Sequence, residues 1–185
     1  FDTAYMYHNY QSELFVKEAL VKRYPRESFL LADKLPTMQL KSIEDNKRIF
    51  DEQLEKCGVD YFDYYLLHCL DVDNYAKVKE FKSMDFVRQM KTEGKIKKLG
   101  FSFHDTAEFL EKILLEIGED IEFVQLQINY LDWESDSVQS RKCYEVCQKY
   151  HKPVIVMEPV KGGKLVNIPQ AGIELLKTQD EKMSV

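Results

Sequence analysis

Four residues of this chain have the types and spacing to move a proton onto an oxygen: Asp2, Tyr7, Lys34 and His68. Asp2, Lys34 and His68 each close a short apolar run, and Tyr7 follows Asp2 by one turn's worth of chain. A phenol is a poor acid at neutral pH, its unperturbed pKa being about 10. An ammonium beside it favours the phenolate and makes the hydroxyl a better donor. Lys34 can be that ammonium, Asp2 can hold it charged and oriented, and His68 can hydrogen-bond an oxygen that is gaining charge. Such a set suits reduction of a carbonyl, which needs a hydride on carbon from a redox carrier and a proton on oxygen from the protein.

Taken singly, each residue has a plainer explanation. Tyr7 is one of eleven tyrosines and could be a surface or packing residue. Lys34 could be a solvated loop charge, His68 a satisfied core histidine, and Asp2 a turn former. Those explanations must also account jointly for polar groups that share one end of successive strands. A parallel barrel brings such strand ends together at one mouth.

The elements that must position them read as follows. Phe1–Ala4 is a strand end. Ser12 is the N-cap expected for a helix with Phe15, Val16, Ala19 and Leu20 on its apolar stripe, stopped by Pro25. Residues 29–35 form a strand whose alternation sends Leu30, Ala32 and Lys34 to one face and Phe29, Leu31 and Asp33 to the other. Ser42 is expected to cap a helix carrying Ile43, Ile49, Phe50, Leu54 and Cys57, closed by Gly58. Strand 61–68 ends on His68, and a single helix is expected over 75–93, ending at Gly94. Strand 97–103 follows, then a helix capped by Asp105 and ended by Gly118. The remaining expectations are strand 123–129, helix 137–150, strand 153–157 and a helix from Gly172 to Lys177.

This βα alternation, with near-continuous apolar strands, indicates a parallel sheet covered by helices. No glycine-rich dinucleotide fingerprint follows any strand, which disfavours an open Rossmann sheet. A (β/α) barrel is the better reading, with six candidate strands in this chain where closure needs eight. The chain opens directly on strand residues, and Lys182–Val185 carry no capping or turn signal. Both ends therefore suggest a piece of a longer protein.

Composition narrows the function classes. With 44% hydrophobic and 31% charged residues the chain is an ordinary globular domain able to bury one core. The net charge of −6 is spread along the sequence, so nothing points to a nucleic-acid partner or a disordered tail. Cys143 and Cys147 fall four apart in a helical pattern, and with Cys57 and Cys69 they read as free thiols rather than metal ligands. No apolar run is long enough to cross a bilayer and no signal peptide is visible, so the cytoplasm is the expected location.

The words around the four residues resemble the aldo-keto reductases. Phe1-Asp2-Thr3-Ala4, then Tyr7 and Ser12-Glu13, is similar to the family's DTA…Y…SE signature. Residues 58–68, GVDYFDYYLLH, resemble its DYxDLYLLH strand, and residues 94–102, GKIKKLGFS, its GKIRxIGVS element. Gln125 and Asn129 fit its Q-x-x-Y-N region. The resemblance runs over nearly the whole chain, from the family's second strand to its seventh. It implies an α/β fold, the (β/α)8 TIM barrel, incomplete here at about six of eight βα units. It also implies a catalytic tetrad of Asp2, Tyr7, Lys34 and His68. NADP(H) or NAD(H) would be the cofactor, a small aldehyde, ketone or sugar the substrate, and Ser102, Gln125, Asn129 and Glu158 the cofactor-binding residues.

The chain also departs from the family's pattern. His8 stands where the family usually has Gly, and Phe103-His104 replaces the usual Asn after Ser102. Met157-Glu158-Pro159-Val160 replaces Tyr-Ser-Pro-Leu, which removes the ring that stacks on nicotinamide. The words GFSFH and MEPVKGG resemble the branch that carries a C-terminal iron–sulfur domain, so any such cluster would lie outside this chain. The family's first and eighth strands are not matched, and the open barrel edges that result would favour self-association. Two rivals remain at the sequence level. One is a nucleotide-sensing or interaction module on the same fold. The other is a lyase with Lys34 as a Schiff base, which an adjacent Asp2 disfavours by keeping the amine protonated.

Overall fold

The computed structural model describes residues 1–178, so Lys182–Val185 lie outside the described residues. Its centre is a parallel five-stranded sheet in sequence order: β1 (Ala32–Leu35), β2 (Phe62–Leu70), β3 (Ile96–Phe103), β4 (Phe123–Gln127) and β5 (Val154–Met157). The sixth strand expected from the sequence is reduced to one parallel bridge, Asp2 to Ala32. Beyond that bridge the chain leaves the sheet and turns into α1 (Tyr7–Tyr10) and α2 (Ser12–Val16), the latter prolonged by a π-helical turn over Lys17–Val21. The crossovers are α3 (Glu44–Cys57), the pair α4 (Val72–Glu80) and α5 (Ser83–Thr92), α6 (Ala107–Ile117) and α7 (Ser140–Lys149), with α8 (Gln170–Lys177) following β5.

The strands alternate as a two-sided sheet requires. Leu35, Tyr65, Leu67, Leu99, Phe101, Val124 and Leu126 are buried in one core cluster with Ile49, Phe50, Val87, Leu110, Ile113, Cys143 and Cys147 of the helices. Each such apolar side chain contributes about 1.5–3 kcal/mol on burial. The opposite face carries Lys34, Leu66, Gly100 and Phe123 at one level, paired across β1 to β4, with Ser102 and Gln125 paired at the next level.

That second face is the inside of a curled sheet. Asp2 and Gln125 are four strand spacings apart, about 19 Å in a flat sheet. Yet Gln125 Nε2 donates to Asp2 Oδ2 at 3.3 Å. Only a sheet bent towards closure permits that contact, so the architecture is an incomplete (β/α) barrel. Its inside is crowded where Gly100 sits. A Cβ there would lie 2.6 Å from the Phe123 ring and 2.6 Å from the Phe123 carbonyl oxygen. Glycine is what lets β3 and β4 close at that level.

Several local expectations are corrected. The helix expected over 75–93 is two helices: Lys82 is left-handed at φ +51, and Asn46 Nδ2 takes the Phe81 carbonyl at 2.8 Å where the first ends. Ser12 lies inside α2, and its Oγ accepts from Thr3 Oγ1. Ser42 precedes α3 by two residues, and the Asp45 carboxylate instead reaches back to the N–H groups of Lys41 and Ser42. Thr106, not Asp105, caps α6, while Asp105 Oδ2 accepts from Val72 N at the start of α4. Gly58 and Gly94 do end their elements left-handed, at φ +71 and +77, whereas Gly118 stays right-handed and leads into a 3₁₀ turn.

Gly100→Ala should lower stability by about 1–3 kcal/mol, the usual cost of forcing atoms into a filled core. The urea unfolding midpoint measures it; an unchanged midpoint would mean that β3 and β4 separate freely.

Candidate active site

The tetrad residues come together at the carboxyl ends of the first strands. Lys34 is almost wholly buried, at 1% exposure, on the inner face of β1. A buried ammonium is tolerated only with partners. Lys34 Nζ has two: it ion-pairs with Asp2 Oδ1, and it donates to the Thr3 carbonyl at 2.7 Å. Asp2 is half exposed and is held in turn by Gln125, so the carboxylate links β1 to β4.

Tyr7 stands over this pair. Its ring centroid is 4.9 Å from Lys34 Nζ, a cation–π distance. The ring also meets His68 edge-on at 5.8 Å and 78°. The phenol hydroxyl makes no hydrogen bond to Lys34, which rests against the ring face. Tyr7 is exposed at 39%, so one side of the ring faces the mouth. The turn that places it is unusual. His8, Asn9 and Tyr10 are all left-handed, at φ +50, +54 and +64, a region costly for side chains other than glycine. Glycine would make such a turn without strain, and this chain makes it with histidine at position 8.

His68 lies in a β-bulge, where the β2–β3 register shifts between Leu67 and Leu70. Cys69 takes φ +57, and its N–H is caught by Ser102 Oγ at 2.7 Å. Bulges commonly re-aim side chains beside active sites. The imidazole is buried, and its Nδ1 has no hydrogen-bond partner. Burial first, then the Lys34 ammonium and His104, push its pKa down from 6.5 to about 3. The ring is therefore neutral at physiological pH.

The expected cofactor residues divide into two groups. Ser102 and Gln125 are buried side by side on the inner face. Ser102 Oγ accepts from Cys69 and keeps its own hydrogen to donate, while Gln125 Oε1 accepts no hydrogen bond from the described residues. One donor beside one acceptor matches the amide of a nicotinamide. Asn129 is placed differently. Its Nδ2 donates to Asp132 Oδ2 at 2.8 Å and to the Glu158 carbonyl at 3.2 Å, and its Oδ1 accepts from the N–H groups of Leu131 and Asp132. Its amide organises the loops after β4 and β5. Glu158 is exposed in a left-handed turn, and it is its carbonyl that engages Asn129.

Two contributors escape sequence reading. The Thr3 carbonyl is a main-chain group, and no residue type announces it. Asp132 gathers Gln127, Asn129 and Lys161, the last at 2.6 Å, and these partners hold its carboxyl at about 2. The only signal for it was an Asp close behind Gln127 of β4 and Asn129 of the loop that follows. Among the described residues no group of three or more His, Cys, Asp or Glu could hold a metal ion, and all four cysteines are free. No helix among them is long and apolar enough to cross a membrane.

A curled parallel sheet with its polar cluster at the strands' carboxyl ends is the arrangement in which (β/α)-barrel enzymes place their chemistry. A sequence profile of the Aldo/keto reductase family matches residues 1–182, and the chain belongs to that family. No curated protein matches it in sequence. Among solved structures, the aldo/keto reductase of Brucella melitensis is 23% identical, with TM-score 0.71 over 98% of this chain and 64% of its own. An aldo-keto reductase of Klebsiella pneumoniae in complex with NADPH is 24% identical, with TM-score 0.73 over 96% and 60%. A 2,5-diketo-D-gluconic acid reductase B, so named provisionally, is 22% identical, with TM-score 0.73 over 96% and 58%. This chain thus spans about three-fifths of the length of the structures it matches.

The depressed pKa of His68 has a signed consequence. A group whose folded pKa lies below its unfolded value stabilises the fold above the unfolded pKa and loses that contribution as pH falls. The part of the stability that His68 contributes should therefore decline from about pH 6.5 towards pH 3. NMR titration of His68 should show no inflection between pH 5 and 8, and a midpoint near 6.5 would contradict the buried neutral ring.

Proposed function

We propose that this chain supplies most of the catalytic barrel of an NAD(P)H-dependent carbonyl reductase. The observation that carries the reading is the convergence of Asp2, Lys34, Tyr7 and His68 around one buried ammonium. Ser102 and Gln125 would hold a nicotinamide here, which when bound would supply the hydride for the carbonyl carbon. Tyr7 donates its phenolic proton to the carbonyl oxygen, and Lys34 stabilises the phenolate left behind. Asp2 and the Thr3 carbonyl hold the ammonium in place. His68, neutral and packed against Tyr7, presents Nε2–H to the carbonyl oxygen and sets its angle of approach. Ser102 and Gln125 orient the nicotinamide amide, while Asn129 and Glu158 act on the cofactor through the loops they join. Aldehydes, ketones or sugars are the substrate class, and the cytoplasm is the location proposed for this chemistry. The tight family of contacts around Lys34 supports catalysis over a purely sensing module. An iron–sulfur domain elsewhere in the protein remains a proposal on the words GFSFH and MEPVKGG alone.

In the full-length protein, Tyr7→Phe should lower kcat by about 10²–10⁴-fold, the usual contribution of a general acid, with NADPH affinity retained. Reduction of a good aldehyde at the unmodified rate would remove Tyr7 from the mechanism, and loss of NADPH binding would favour the sensing reading.

We further propose that residues 1–185 form one partial barrel domain that self-associates through its open edges. Ile155 and Val156 on β5 are exposed at 36% and 47%. At the other edge Phe1, Phe15, Val16, Tyr24 and Phe29 line an apolar groove of about 570 Å³. Unpaired edges and apolar patches invite pairing with another chain. Light scattering of the purified segment should give a dimer or larger, with weak NADPH binding. A stable monomer of micromolar NADPH affinity would refute this.

A further inference from the structure

β1 carries two ionisable residues in succession, and only Lys34 has a part in the chemistry above. Asp33 points the other way, into the helix layer, where it is fully buried at 0% exposure. Glu13 of α2 is also buried, at 0%, and near enough for its charge to act on the Asp33 carboxyl. Two acidic side chains in a dry interior need donors. Asp33 has two: Oδ1 accepts from the Lys34 N–H at 2.8 Å, and Oδ2 faces the Cys57 thiol at 3.7 Å. Neither Glu13 oxygen has a hydrogen-bond partner, and its ion-pair partner, Lys56 Nζ, is 3.6 Å away.

The edge position of β1 explains why Lys34 needs such help. Residue 32 exchanges hydrogen bonds with the N-terminal segment: Ala32 N–H donates to the Phe1 carbonyl and Thr3 N–H to the Ala32 carbonyl. In a parallel strand the next residue whose main chain faces that side is 34. By then the N-terminal segment has left the sheet. The Lys34 N–H and C=O would be orphaned in the interior, and side chains take them instead. Asp33 takes the N–H, and Gln53 Nε2 donates to the carbonyl at 3.0 Å, itself fixed by Tyr65 Oη at 2.5 Å.

We propose that Asp33 and Glu13 share one proton and serve as the positioning pair that fixes the main chain of Lys34, and through it the ammonium beside Tyr7. The ionisable groups turned on the pair are Lys56 and Cys57 of α3, Tyr65 of β2 and Lys34 of β1. One partly exposed lysine cannot compensate two buried carboxylates, while Lys34 spends its ammonium on Asp2 inside the barrel. One retained proton leaves a single negative charge, which meets the Lys34 N–H and Lys56, whose ammonium is shared with Glu52 at 2.6 Å. Burial raises both carboxyl pKa values above the usual range, and the Glu13 charge raises that of Asp33 further, in keeping with that count. Neither residue touches substrate or cofactor. Their action is on Lys34 alone, and it rests on the reading of Lys34 as the ammonium that assists Tyr7.

The test uses the full-length protein with Asp33→Leu, Asp33→Asn and Glu13→Gln, and with Lys34→Met as the control for the underlying reading. Asp33→Leu removes the acceptor of the Lys34 N–H and should lower kcat about 10- to 100-fold, the scale of small misplacements, with NADPH affinity unchanged. Asp33→Asn keeps that acceptor and should restore most of kcat. Glu13→Gln mimics the protonated carboxyl and should leave kcat at neutral pH within about threefold. It should also change the pH dependence of stability. A raised folded pKa gives stability that is complete below the unfolded pKa and lost as pH rises through the folded one. The pair's own contribution to Tm should therefore fall as pH rises above the ordinary carboxylate range, so the wild-type Tm should drop relative to that of Glu13→Gln across that range. If Asp33→Leu folds and keeps full kcat while Lys34→Met is inactive, the pair does not position Lys34. If Asp33→Leu fails to fold, the melts decide: a wild-type Tm that does not drop relative to that of Glu13→Gln overturns the shared proton. An active Lys34→Met would instead sink the reading of the site itself.

Discussion

The structure turns on a lysine ammonium placed inside a protein. Lys34 is as buried as the large apolar residues around it, and burying an unpaired ammonium is far too costly to occur. Everything near the barrel mouth follows from meeting that cost. Asp2 must be beside β1, so the N-terminal segment must bridge to Ala32 before it diverges. The Thr3 carbonyl must face inward, which directs the chain into the turn that carries Tyr7. Gln125 reaches across to Asp2, a contact that the curl of the sheet makes possible. The same ammonium then supplies an electrostatic reason for the neutrality of His68, second only to burial.

This arrangement separates two kinds of polar burial on the two faces of one strand. Lys34 faces the barrel and has its charge paired with a half-exposed carboxylate in contact with the mouth. Asp33 faces the helices and meets mostly neutral donors and a second acid. Replacing such a buried polar cluster by apolar residues is often neutral or stabilising. Its retention is therefore better explained by what it positions than by any gain in stability. With an apolar residue at position 33 the edge N–H of Lys34 would lose its acceptor, while Gln53 would still hold the carbonyl.

Much of the candidate site's placement was legible because its residues sit at strand ends, where period-two alternation and apolar runs are easiest to read. The opposition of Lys34 and Asp33 follows from alternation alone, and the termination signals at Gly58 and Gly94 follow from the need for positive φ. The illegible parts have a common cause: they depend on groups that carry no sequence signature. The split between α4 and α5 needs a left-handed Lys82 and an Asn46 from another helix. The expected first strand shrank to a bridge because Lys34 takes its carbonyl partner from that segment, and ladder pairing cannot continue past it. Asn129 has the right residue type and place for a ligand contact. Its amide, however, is consumed by the loop that Asp132 and Lys161 clamp.

The left-handed run at His8, Asn9 and Tyr10 shows how positioning and stability oppose each other here. A turn of that hand costs little with glycine and of order 1 kcal/mol at each residue with a side chain. Three such residues in succession persist only because both flanks are fixed. Upstream, Thr3 and Asp2 are held by Lys34, and the Tyr7 N–H bonds to the Ala4 carbonyl. Downstream, Thr3 Oγ1 reaches Ser12 and Gln39 holds the Tyr10 hydroxyl. The strain is thus confined to the residues immediately behind Tyr7, and relaxing it would move the phenol away from the ammonium and His68. A buried charge at one end and a strained turn at the other constrain the same five residues, 3–7, and that double constraint gives Tyr7 a defined place where the segment emerges from the interior.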